Sequence, residues 1–343
     1  MNAPLLLKGA PGSPYTRKML ALLRYRRIPY ALVTWGSPRL AAMPKPKVEL
    51  LPTFYLHNAA GEIEAVTDST PLIRRFEREF PARQVRPADP VLCFIDSLLE
   101  DYADEWLTKA LFHYRWSFGD DIRKAGHILP LSHDVTAGDS AVAQQSAQFS
   151  QRQIGRLAYV GSSRDTAQVI EQSYLRFLDA FEAHLKLHPF VMGARPGASD
   201  FGIHGQLTQL ANFDPTPSAI TLARAPRVVA WVSLAEDLSG LEPEDGQWLG
   251  RDAIAATLIT LLAEVGRVYV PLLLANARAV QSGAHQVRTQ IDGQTYVQNP
   301  FAYQAKCLGW LREEFTALSV SDRQVVETIL EQAGCGALVA QPL

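Results

Sequence analysis

The sequence predicts an α/β unit followed by a larger all-α unit, and three observations carry that expectation. Residues 5 to 80 alternate short β-rich runs with amphipathic helical ones. From about residue 89 onward, apolar residues recur at helical spacing. At 343 residues and 47% hydrophobic content, the chain is long enough to bury two cores. The expected division is an α/β domain over 1–84 and a helical domain over 85–343.

The first unit reads as βαβ followed by ββα. Leu5-Leu6-Leu7-Lys8 is a short apolar strand, and the helix after it has Pro14 at its first position and Met19, Leu20, Leu22 and Leu23 on its apolar face. A helix opened this way points unpaired N–H groups at whatever binds above it, and an anion is favoured there. Tyr30-Ala31-Leu32-Val33-Thr34-Trp35 is the second β-rich run, followed by a loop punctuated by Pro38, Pro44 and Pro46. Thr53 to Leu56 and Ile63 to Val66 flank a turn at Asn58-Ala59-Ala60-Gly61, the pattern of a hairpin. Asp68-Ser69-Thr70-Pro71 starts a second helix whose apolar face is Leu72, Ile73 and Phe76.

Long helical segments follow at roughly 89–116, 165–187, 199–211 and 225–237. Between them, the polar stretch 117–160 reads as an insertion with one helix around Ala143 to Leu157. An extension from about 250 holds an apolar run, Ala253 to Val280, then a small hairpin at Asp292-Gly293 and a helical pair at Tyr303–Phe315 and Ser321–Gln332. Glu264, Arg267, Pro271 and Arg278 interrupt the apolar run, which therefore reads as a buried helix bent near Pro271 and not as a membrane span.

The formal net charge of −2 gives no electrostatic case for nucleic acid or a membrane surface. Cys93, Cys307 and Cys335 are far apart and form no CxxC pair, which argues against a zinc site and against a disulfide framework. Only three consecutive leucines precede Lys8, too few for a signal peptide, so a cytoplasmic protein without a metal is expected.

With this element order, four motifs resemble the cytosolic glutathione S-transferase family. Gly12-Ser13-Pro14-Tyr15 is similar to the Ser-Pro-aromatic or Cys-Pro-aromatic helix start of its serine and cysteine classes. Leu51-Pro52 stands where the family has a cis-proline, Asp68-Ser69 where it has Glu-Ser or Asp-Ser, and Gly197-Ala198-Ser199-Asp200 where a helix starts with a capping Ser or Thr three residues before Asp. The resemblance covers roughly residues 5 to 240 and leaves the insertion and the extension without counterparts. It implies a thioredoxin-like α/β domain followed by an all-α helical domain, glutathione as substrate, a small apolar electrophile as second substrate, and a homodimer. No dimer determinant is legible in the sequence itself.

The resemblance also implies roles. A free thiol has a pKa of about 8.5, so glutathione is mostly un-ionised at neutral pH. Ser13, with the helix N-terminus, would hydrogen-bond the thiolate and lower that value, with Tyr15 as the competing donor; capping alone is the plainer account of Ser13. A serine in place of cysteine removes thiol–disulfide exchange. Leu51 would offer its backbone to the glutathione cysteine beside Pro52, and Asp68 and Ser69 would hold the γ-glutamyl end. The family's Lys-Lys before the proline is Glu49-Leu50 here, so a cation for the glycyl carboxylate must come from Lys45, Lys47 or elsewhere in the chain. The family's capping hydroxyl is missing at Gly197. A catalytically silent scaffold with the same fold is the alternative these departures support.

Two clusters have two readings each. Asp101, Glu105, Lys109 and His113 fall four apart on one helical stripe, either a wet salt-bridged face or, with Tyr102 and Arg115, the lining of a second-substrate pocket. Tyr296, Phe301, Tyr303, Cys307, Trp310 and Phe315 either pack the extension onto the helical domain or form a lid. His133-Asp134 reads as loop.

Overall fold

The structure is a computed structural model and describes residues 3–340 apart from Asp245 and Ala253. Ala253, from which the apolar run was read, lies outside the described residues, as do 341–343 of the extension. The N-terminal unit runs β1 (Leu5–Lys8), α1 (Pro14–Tyr25), β2 (Tyr30–Val33), β3 (Thr53–His57), β4 (Ile63–Val66) and α2 (Ser69–Glu79). Its sheet has the order β2-β1-β3-β4, with β1 parallel to β2 and antiparallel to β3. Leu7, Leu20, Leu22, Leu23, Phe54, Leu72, Ile73 and Phe76 bury together between sheet and helices, the face the periodicity selects. This is the expected thioredoxin-like arrangement.

The helical unit opens with α3 (Pro90–Tyr102), a π-helical segment (Ala103–Leu107) and α4 (Thr108–Ser117), continuous along the chain. Next come α5 (Gly119–Leu131), α6 (Asp139–Ile154), α7 (Ala167–Leu185), α8 (Ala198–Leu210), α9 (Pro215–Arg224) and α10 (Pro226–Ala235). The extension adds α11 (Ala256–Glu264), a second π segment (Val265–Tyr269), α12 (Val270–Ser282), the hairpin β5 (Val287–Ile291) and β6 (Gln294–Gln298), α13 (Ala302–Thr316) and α14 (Val320–Gln332). The insertion holds two helices where one was expected. The expected one is α6; the unforeseen one is α5, which buries only Asp121, Ala125, Gly126 and Pro130 and so offers no stripe of large apolar residues for periodicity to detect.

Ala256–Ser282 is continuous and, by length and composition alone, long and apolar enough to cross a membrane; the expectation that its charges exclude a span does not hold on that measure. Much of it is packed into the helical core through Leu258, Leu261, Leu262, Leu272 and Leu273, and Glu264 pairs with Arg176 at 2.7 Å. Helix α8 joins the two units, since Ala198 and Phe201 belong to the core of the α/β unit and Phe201 meets the Tyr25 ring at 5.8 Å.

The missing hydroxyl at Gly197 has a substitute. Asp96, from the middle of α3, accepts from the Ala198 and Ser199 N–H groups at 3.1 Å each and from Ser199 Oγ at 2.6 Å, while Asp200 accepts from Gly197 N–H at 2.9 Å. A Cβ at position 197 would stand 2.3 Å from Asp96 Oδ1, so glycine makes room for the capping carboxylate. Gly197→Ser therefore replaces a poorer N-cap type by a preferred one and is nonetheless expected to destabilise by about 1–3 kcal/mol through overpacking. A urea midpoint equal to or above the wild type would contradict this.

Candidate functional site

Register brings three loops to one sheet edge. Lys8 pairs with Thr53 and Phe54 with Val66, so the turn after β1, the Leu51-Pro52 peptide and the Asp68-Ser69 start of α2 all lie beyond the same end of the strands. The Leu51-Pro52 bond is cis. Ser13 is the N-cap of α1, and its Oγ accepts from Thr16 N–H at 3.2 Å. A hydroxyl is one donor and two acceptor sites, so this capping bond uses an acceptor and leaves the O–H proton for another partner. Lys47 is exposed, as is Lys45, in the loop before β3.

Tyr15 does not share the Ser13 environment. Its hydroxyl donates to the Asp104 carbonyl at 2.7 Å, inside the π segment of the helical unit. Burial, with Glu105 and Asp104 nearby, holds its phenol well above the ordinary range. The donor that could compete for a sulfur is committed to the domain junction.

Beneath the edge lies a buried ionic cluster that the sequence reading missed. Lys18 Nζ donates to Asp104 Oδ2 at 2.5 Å, Glu100 Oε1 at 2.6 Å and Ser69 Oγ at 3.1 Å. Burial acts to discharge the ammonium, but the two carboxylates outweigh it and hold Lys18 protonated, above its ordinary value. Lys18 follows Ser13 by five residues and precedes the buried Leu22 by four and Tyr25 by seven, the helical spacing that puts it on their inward face. Ser69 is buried with its hydroxyl in this cluster, not directed outward as expected of a γ-glutamyl ligand. Asp68, at the N-cap position of α2, has φ +81° and no side-chain capping bond; its Oδ2 accepts from Tyr303 of α13 at 2.7 Å.

The Asp101–His113 stripe is largely buried and bonded to other parts of the protein. Asp101 accepts from Tyr269 at 2.6 Å, Lys109 donates to the Val160 carbonyl at 2.9 Å and Gln298 at 3.0 Å, and His113 lies between Ser162 Oγ at 2.8 Å and Glu171 at 3.0 Å. Burial pushes Glu105 up to about 8 and Lys109 down to about 8, drawing both toward their uncharged forms. Tyr102 is 1% exposed and packs on Phe177 and Tyr269. Tyr102 and His113 are thus interior residues, covered by elements from distant sequence.

Arg115 is buried too, yet it reaches the Ser13 turn. Its Nη1 donates to the Gly12 carbonyl at 3.2 Å, while Nε and Nη2 hold the fully buried Asp214. Beside the same turn is a cleft of about 340 Å³ lined by Pro11, Gly12, Arg17, Ile128, Leu129 and Phe213, among others. Ile128 and Leu129 come from α5, so the insertion forms one wall. The insertion also touches the α/β unit where the His133 ring meets Trp35 at 4.6 Å, which makes His133 a contact residue and not plain loop. Among the described residues, no group of three His, Cys, Asp or Glu side chains is arranged to hold a metal ion.

Residues 7–84 match the family model described as the glutathione S-transferase N-terminal domain. No curated protein matches the chain. Solved structures similar to it include a glutathione S-transferase from Methylobacterium radiotolerans in complex with glutathione sulfonate, at 18% identity over 72% of this chain and 99% of that one, TM-score 0.42. A glutathione transferase family member from Pseudomonas fluorescens, with two glutathione bound, is 14% identical over 68% of this chain and 92% of its own, TM-score 0.42. A Tau class glutathione S-transferase from mango is 16% identical over 75% and 96%, TM-score 0.41.

Proposed function

We propose, from the premise that residues 7–84 belong to the glutathione S-transferase N-terminal domain family, that this protein binds glutathione and conjugates its thiol to an apolar electrophile. The observation that carries the reading is the Ser13 hydroxyl, capping α1 through an acceptor site and retaining its proton as a donor. A thiolate beside it would receive that hydrogen bond and the field of the helix N-terminus, both of which favour the charged sulfur. Leu51 offers its backbone to the glutathione cysteine, Asp68 pairs with the γ-glutamyl amine, and Lys47 faces the glycyl carboxylate. The cleft walled by Ile128, Leu129 and Phe213 adjoins the turn and takes the electrophile.

The test is calorimetric titration with glutathione, then a conjugation assay with a reactive aryl halide on wild type, Ser13→Ala and Ser13→Gly. Loss of one preorganised donor to a developing or standing charge is expected to lower kcat/KM by on the order of 100-fold in both variants. Capping separates them, because alanine loses about 1 kcal/mol of helix stability and glycine only a few tenths. Full activity in both variants would reject Ser13 as the thiolate donor.

One observation favours the second reading, a silent scaffold. The Ser69 hydroxyl is bound by Lys18 and the Asp68 carboxylate by Tyr303, so two expected ligands already have protein partners. Absence of glutathione binding heat would select the scaffold.

A further inference from the structure

We propose that Tyr303, contributed by the C-terminal extension, is a positioning residue for glutathione: its hydroxyl fixes the Asp68 carboxylate in the orientation that receives the γ-glutamyl amine. The inference rests on the proposed function and adds to it a residue from a segment with no counterpart in the resemblance.

The contact joins residues 235 positions apart, with Tyr303 Oη donating to Asp68 Oδ2 at 2.7 Å. Asp68 needs such a partner. Its backbone, at φ +81° and ψ 111°, lies outside the regions ordinary L-residues occupy, and its side chain makes no capping bond to α2. The tyrosine is itself held. Its ring meets Trp310 edge-on at 6.0 Å and Phe301 at 6.1 Å. Further along α13, Glu314 receives Arg74 of α2 at 3.1 Å and Ser97 of α3 at 3.1 Å, and also pairs with Arg86. Helix α13 is thereby braced against both units, and the Tyr303 hydroxyl is presented from a fixed frame.

The charge of Asp68 depends on the same contact. The groups facing it are Lys18 from α1, Glu100 and Asp104 from the α3 and π segments, and Tyr303 and Cys307 from α13. Burial raises the Asp68 carboxyl above its ordinary value, and the Tyr303 hydrogen bond and Lys18 oppose that rise. One hydrogen bond occupies one of the carboxylate's four lone-pair sites, so an ammonium has room to bind beside the phenol.

The experiment is calorimetric titration of the full chain with glutathione, and with an analogue lacking the γ-glutamyl amine, using wild type, Tyr303→Phe and the Asp68→Asn and double variants. Tyr303→Phe keeps the ring and is expected to weaken glutathione about tenfold, the size associated with a hydrogen bond to a charged group, while leaving the analogue unchanged. The acid limb of glutathione binding moves to higher pH, because a carboxyl that loses a donor to its charged form protonates sooner. In the conjugation assay KM rises and kcat stays. In the Asp68→Asn background, Tyr303→Phe adds little, as a shared mechanism requires. Unchanged affinity with an unchanged acid limb in Tyr303→Phe overturns the inference, and tighter binding overturns it in favour of a plug. Failure of the wild type to bind glutathione at all overturns the proposed function first, a result read before any variant.

Discussion

Lys18→Met is expected to destabilise the protein by on the order of 3–5 kcal/mol, the cost associated with removing one partner from a buried ion pair. The substitution keeps the aliphatic volume and deletes the ammonium. Glu100 and Asp104, both within 8% of complete side-chain burial, would then face each other without a counter-ion. Thr70 Oγ1, 3.1 Å from Glu100 Oε1, and Ser69 Oγ are the nearest remaining donors, too few for two carboxylates. In the wild type, burial raises Glu100, but Lys18, with further help from Arg74 and Thr70, brings it below its ordinary value; Asp104 stands at about 6, raised by burial against the pull of Lys18. Without the ammonium both rise above their unfolded values. A group with a raised folded pKa binds more protons folded than unfolded, so its contribution falls as pH rises through that window. The deficit of Lys18→Met should therefore be larger at pH 8 than at pH 5, measured by urea denaturation at both. A deficit independent of pH, or smaller at pH 8, would show that the carboxylates are not what suffers. Lys18→Met with Asp104→Asn should recover part of the loss, since one uncompensated charge is removed.

The element order and the capping role of Ser13 were legible because each has a local cause, whereas the cis-proline at Leu51-Pro52 was implied only by the resemblance. Pro14 and Ser13 act within one turn, and the Asp292-Gly293 hairpin follows from two consecutive residues at positive φ, +54° and +73°. The buried stripe on α3 and α4 was not legible, for a matching reason. Its partners, Val160, Ser162, Glu171, Tyr269 and Gln298, come from four later elements or loops, and four charges at helical spacing look alike whether water or a hairpin covers them. The aromatic crowding of Tyr102, Trp106 and Tyr114 was the one local sign that this face is interior. Asp96 is a similar case. An acidic residue between Ile95 and Ser97 in a buried helix shows that something must satisfy it, but only the fold shows that the something is the start of α8.

Arg115→Met is expected to separate stability from catalysis at the turn. The guanidinium donates to both oxygens of Asp214 at 2.9 and 3.0 Å, to Gln209 Oε1 at 2.7 Å and to the Gly12 carbonyl at 3.2 Å, with the Phe213 ring 5.1 Å away. Asp214 has no exposed side-chain surface, so an unpaired charge there should cost on the order of 3–5 kcal/mol. Lysine would not rescue it, because a point charge cannot span a bidentate carboxylate and a carbonyl together. Pairing Arg115→Met with Asp214→Asn removes the stranded charge and should return much of the stability seen in urea denaturation. It does not return the bond to the Gly12 carbonyl, which holds the residue next to Ser13. If that bond helps aim the Ser13 hydroxyl, the double variant stays slow in the conjugation assay after its stability has recovered, with kcat affected more than KM. If rate and stability recover together, Arg115 only supports the fold, and the placement of Ser13 is set by its own cap and by the Leu129 side chain, which would lie 2.3 Å from a Cβ at Gly12.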